Sequence, residues 1–194
     1  MEVFFKVIRR ITVPPVFAAA LAIILYFTHF DYFGSVWHLL GALFFLCVLP
    51  TLAYPLQRFI PKYKDRGREG QRSLAMVFSF LGYLFGTLVA LAFSAPFELK
   101  ILYFEYLLCG IAMLLINKVF KLKVSGHACG IVGPVIMLAY FGLYIPAIIG
   151  ALLVILVYIS SLKTKEHTLM QLLGGSVIPA FVLALITTMH LLLT

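Results

Sequence analysis

Charge is what this chain has least of. Only 11% of its residues are Asp, Glu, Lys or Arg, and just 7 of the 194 are acidic. Soluble domains carry about 25% charged residues, so a water-exposed surface over most of the molecule is excluded. Cysteine is scarce too. The 3 present, Cys47, Cys109 and Cys129, lie inside apolar runs without CxxC or metal-ligand spacing, which points to packing rather than a disulfide framework. Also missing are an internal repeat, a linker between domains, and a convincing small-residue cleavage site after the first apolar run, so a retained first helix is expected.

What is abundant is hydrophobicity, at 63% of residues and a mean hydropathy of +1.10. The apolar runs are continuous and do not alternate, which selects helices over a barrel. Seven spans are drawn, at roughly 11–30, 36–54, 74–96, 101–118, 127–144, 145–161 and 169–193. The expectation is an all-α polytopic bundle of six or seven transmembrane helices in a single domain. The fifth and sixth spans are short, and Pro146 marks the turn between them.

The net charge of +8 is one-sided. Of the 15 basic residues, all but Lys100 fall at the N-terminus (Lys6, Arg9, Arg10), in the segments 55–73, 119–126 and 162–168, or, as Lys118, at the end of the span before the second of these, and the spans return them to one face. The positive-inside rule makes that face cytoplasmic. Membrane lipids, not nucleic acid, are the expected partners.

Three polar segments on that face hold unusual residues: Lys62 to Arg72, Lys123-Val124-Ser125-Gly126-His127, and Ser160 to Gln171. Two histidines can divide labour as nucleophile and acid/base. Lys and Arg can hold phosphoryl oxygens. Ser125 and Gly126 stand where a helix begins, and free backbone N–H groups there suit an anion. No carboxylate cluster for Mg²⁺ or Zn²⁺ accompanies them, so the inventory fits metal-free phosphoryl transfer with no cofactor.

In order and sidedness these segments resemble the signature of the type 2 phosphatidic acid phosphatases, the lipid phosphate phosphatases. That signature is Lys-x6-Arg-Pro, then Pro-Ser-Gly-His, then Ser-Arg-x5-His-x3-Asp. The resemblance covers 56–194 as a phosphatase-like core and leaves 1–55 as a peripheral hairpin. Ser125-Gly126-His127 matches, with Val124 in place of Pro. Ser160 precedes His167 at the required spacing, but Ser161 replaces Arg and Gln171 replaces Asp. Arg72 is followed by Ser73, and Lys64 lies one residue too far upstream of it.

The resemblance implies that His167 attacks phosphorus and His127 acts as acid and base. Gln171 would orient His167, while Lys64, Arg72, Ser125, Gly126, Lys163 and Lys165 hold the phosphoryl group. The implied substrate is a lipid phosphate or prenyl diphosphate. Two rival readings remain: a degenerate member that binds or translocates phospholipid without hydrolysis, and an unrelated small transporter. Elsewhere, Glu105 is expected to reach the interface, His29, His38 and His190 fall near the opposite face, and Gly82 with Gly86 suggests close helix packing.

Seven spans predict opposite termini, with Met1 cytoplasmic and Thr194 outside. Reporter fusions at both ends check this; both reporters on one side would remove a span.

Overall fold

A computed structural model describes residues 12–193. Lys6, Arg9, Arg10 and Thr194 lie outside the described residues. Every expected span contains a helix: α1 Pro14–Thr28, α2 Val36–Phe59, α3 Gly67–Ala92, α4 Phe97–Val119, α5 Gly126–Tyr140, α6 Tyr144–Lys163 and α7 Leu169–Leu193. A one-turn helix, Pro61–Lys64, lies between α2 and α3. Among the described residues, five helices (α2, α3, α4, α6 and α7) are long and apolar enough to cross a membrane, whereas α1 and α5 are shorter. The chain is a multi-pass, all-α membrane protein.

The outward faces confirm the solvent. On α6, Ile145, Ile148, Leu152, Ile155 and Ile159 recur at helical spacing and are exposed, while Ala147, Gly150, Val157, Ser160 and Ser161 are buried. A helix in water has the reverse polarity. Small residues inward and bulky apolar ones outward fit lipid, where packing rather than hydrophobicity joins helices.

The chain forms two compact units, one comprising residues 12–21 with 108–193, the other 22–107. In the second unit α2 packs on α3. A π turn at Phe44–Val48 precedes Pro50 and Pro55 in α2. A proline cannot donate to the carbonyl four residues earlier, and such breaks distort helices locally. Gly82 and Gly86 of α3 are buried against this region: a Cβ on Gly82 would stand 2.2 Å from the Phe45 carbonyl oxygen, and one on Gly86 would stand 2.3 Å from the Tyr103 ring. Glu105 is also buried here, at 2% exposure, so the expectation that it reaches the interface is corrected. α4 begins at Phe97 rather than near 101, which sets Glu105 deeper in its helix than the apolar run implied.

The first unit is built around α5, which packs on α6 and α7. Gly150 of α6 lies against Val135, where a Cβ would approach Cγ2 to 2.7 Å. Tyr158 and Ser176 share a hydroxyl hydrogen bond that joins α6 to α7. Phe17, Ile131 and Val157 form one core cluster; Cys109 and Cys129 join Ile178 and Val182 in another, so these two cysteines do serve packing. No disulfide occurs among the described residues.

Gly82→Ala is expected to lower the thermal midpoint in detergent, because overpacking costs about 1–3 kcal/mol. Gly41→Ala is the control. Its Cβ would lie 3.8 Å from the Tyr103 hydroxyl, and alanine gains about 1 kcal/mol of helix propensity over glycine, so its midpoint should hold or rise.

Candidate functional site

α7 starts with a reciprocal cap. Thr168 precedes the first helical residue, Leu169. The Gln171 backbone N–H donates to Thr168 Oγ1 at 3.3 Å, and the Thr168 N–H donates to Gln171 Oε1 at 3.3 Å. This is the capping box of a Thr-x-x-Gln sequence, which satisfies two N–H groups that the helix cannot. His167 Nδ1 lies 3.2 Å from the same Oε1.

This geometry fixes a tautomer. A glutamine amide can be turned either way. Here the carbonyl oxygen faces the exposed Thr168 N–H, a bond that the turned amide would lose. That oxygen can only accept from His167, so the imidazole proton lies on Nδ1, and in the neutral ring the lone pair is on Nε2. A neutral Gln171 therefore gives His167 the orientation and tautomer that a carboxylate would, without its charge.

The α6–α7 turn supplies the rest of the cleft, a cavity of about 330 Å³ lined by Leu162, Lys165, Glu166, His167, Thr168 and Gln171. α6 ends in a Schellman motif. Lys165 N–H donates to the Leu162 carbonyl at 3.1 Å, and Glu166 N–H donates to the Ser161 carbonyl at 3.2 Å. Lys165 occupies the left-handed position of that motif, with φ 53°, where glycine is usual. The same bonding closes α5, where Gly142 holds that position at φ 78°. Lys165 thus carries a conformational cost of about 1–2 kcal/mol, and it brings a cation to the cleft that glycine would not.

The second polar segment meets the third through backbone. Ser125 N–H donates to the Gln171 carbonyl at 2.9 Å. Ser125 is fully buried and caps α5, with Oγ accepting from the Ala128 N–H at 3.2 Å. Two residues that the motif reading passed over hold it there. Gly175 permits the approach, since a Cβ would stand 2.3 Å from the Ser125 carbonyl oxygen. Asn117, inside the π turn Leu115–Val119 that ends α4, accepts from the Val124 N–H at 3.0 Å and donates to the Met113 carbonyl at 3.0 Å. The Gly174-Gly175 doublet was visible as a packing signal; the π turn has no sequence signature.

The sequence-expected residues fall as follows. Lys165, His167 and Gln171 line one cleft. Ser125 is hydrogen-bonded to Gln171, and Gly126 is exposed as the first residue of α5. His127 is half-buried, with its Nε2 atom shielded, and is not among the cleft's lining residues. Lys163 is exposed and also outside that lining. Ser161, in the place of the pattern's Arg, is fully buried, and among the described residues its Oγ has no hydrogen-bond partner. Lys64 and Arg72 belong to the 22–107 unit, where Lys64 ends the one-turn helix and Arg72 lies in the second turn of α3, which starts at Gly67 rather than near 74. Among the described residues no group of His, Cys, Asp and Glu is arranged to hold a metal. No family model, curated protein or solved structure matches the chain.

Lys165→Gly separates charge from conformation. The thermal midpoint should hold or rise with glycine and stay near wild type with alanine. If the ammonium group serves the cleft, both variants lose inorganic-phosphate binding alike; binding kept by Lys165→Gly alone would assign Lys165 to backbone geometry.

Proposed function

We propose that this protein is a multi-pass membrane phosphatase that hydrolyses a lipid phosphate or prenyl diphosphate through a phosphohistidine, at the membrane face bearing the basic segments. The observation that carries the reading is the Thr168–Gln171–His167 hydrogen-bond set. It presents Nε2 of His167 as a lone-pair donor beside Lys165, with the Ser125 cap of α5 tied to the same residue.

The mechanism follows from those groups. Nε2 of His167 attacks phosphorus and the P–O bond to the lipid breaks; the resemblance alone assigns the proton for the departing oxygen to His127, which lies outside the cleft's lining. Water, deprotonated by His127, then attacks the phosphohistidine and releases phosphate. As Nε2 takes on phosphorus the ring becomes cationic, and Gln171 Oε1 stabilises it through the Nδ1–H dipole alone. In a serine-protease triad an Asp→Asn change costs about 10⁴ in rate, largely through the wrong tautomer. The capping box opposes that part of the penalty here, because turning the Gln171 amide would break its bond with the Thr168 N–H.

A second reading has its own observation. The capping box accounts for Gln171 as a helix-start residue, the pattern's Arg position is a buried serine, and Glu166 lines the cleft beside Lys165. A site with so little net positive charge suits a protein that binds or translocates phospholipid without hydrolysing it.

Purified protein in excess EDTA should release phosphate from a panel of lipid phosphates. His167→Ala should abolish release. Gln171→Leu should lower kcat by up to about 10⁴ through loss of the tautomer, with a smaller change in KM. Lys64→Gln and Arg72→Gln test the phosphate roles carried by the resemblance alone. Hydrolysis that persists in His167→Ala rejects the mechanism. Lipid transfer without phosphate release supports the second reading.

A further inference from the structure

The connector between α2 and α3 has features beyond Lys64 and Arg72 that neither the fold nor the proposed chemistry uses. Between Gln57 and Arg72 stand Arg58, Lys62, Lys64, Arg66, Arg68 and Arg72 against only Asp65 and Glu69. The connector is held in shape. Gln57 is buried, and its Nε2 donates to the Tyr63 carbonyl at 2.9 Å and to the Gly67 carbonyl at 2.8 Å. These bonds draw the one-turn helix Pro61–Lys64 onto the start of α3. Gly70 completes the seat, since a Cβ there would stand 2.6 Å from the Tyr63 carbonyl oxygen.

On this fixed backbone, cations alternate with aromatic rings. The Arg58 guanidinium lies 4.8 Å from the centroid of the Phe59 ring, and the Lys62 ammonium lies 5.7 Å from that of Tyr63. Phe59 is 68% exposed and is the last residue of the apolar α2 span. The end of a span lies at the membrane interface, which puts the apolar Phe59 ring at the acyl boundary next to the headgroups. Cations over such rings present their charge at that depth while their aliphatic stems stay against apolar surface.

From this we infer that the 57–72 connector is a binding surface for anionic phospholipid headgroups, with Arg58 and Lys62 engaging the headgroup phosphate and Phe59 the acyl boundary. A topology signal requires only that basic residues be present. It requires neither a buried glutamine and a glycine seat nor rings beneath the charges.

The protein has a single tryptophan, Trp37, so a site-specific reporter is available as Phe59→Trp in a Trp37→Phe background. Reconstituted in bilayers, its fluorescence is quenched by lipids with brominated chains. Comparing brominated phosphatidylglycerol with brominated phosphatidylcholine at equal mole fraction gives the relative affinity at this position. The expected preference for phosphatidylglycerol at low salt is roughly five-fold per engaged basic residue. It should collapse toward parity in Arg58→Gln/Lys62→Gln and survive in the charge-conserving Arg58→Lys/Lys62→Arg. Parity in the reporter protein, a preference that persists in the Gln variant, or its loss in the charge-conserving variant would each overturn the inference. Neither Arg58 nor Lys62 belongs to the phosphatase reading, so the two proposals fail independently.

Discussion

Gln171 is the residue on which the candidate site depends, and its four connections are all hydrogen bonds. Its backbone N–H and side-chain oxygen close the capping box with Thr168, the same oxygen faces His167 Nδ1, and its carbonyl accepts from Ser125. The first N–H groups of a helix have no partner within it. The start of α7 must therefore be capped, and the cap chosen here also orients a histidine. Closing one helix and positioning one imidazole are the same act of bonding.

The surrounding packing makes that arrangement possible. Small residues let helices approach where a side chain would not fit: Gly175 over the Ser125 carbonyl, Gly150 against Val135, and Gly82 over the Phe45 carbonyl. With lipid outside, bulky residues such as Ile148 and Leu152 gain nothing by turning inward. At the close helix contacts the interior is left to glycine, alanine and serine, and backbone comes close enough to backbone for Ser125 and Gln171 to meet.

Much of this was legible in the sequence because it depends on composition and period. The apolar runs located every long helix, Pro146 stands in the first turn of α6 as expected, and Ser125 caps α5. Helix starts were placed too late where polar residues open a helix, as with Gly67 to Ser73 of α3, since a hydropathy window sees only the apolar part. Gln171 was read as a departure from a motif, although Thr168-Leu169-Met170-Gln171 also spells a capping box. Lys165 in a left-handed conformation could not be foreseen, because glycine or asparagine is the expected occupant. The depth of Glu105 was misjudged for a related reason: α4 starts at Phe97, ahead of the apolar run that begins at 101, and burial also depends on which face the helix turns inward.

The central claim is that His167, oriented by Gln171, presents Nε2 to a phosphoryl group. Vanadate mimics that group in its five-coordinate state, and an experimental structure of the full chain with vanadate in the presence of EDTA tests the claim most directly. The account predicts vanadium bonded to His167 Nε2, with Nδ1 still on Gln171 Oε1 and no vanadate bound in His167→Ala. Vanadate absent from the cleft, or held there equally well without the imidazole, would contradict it.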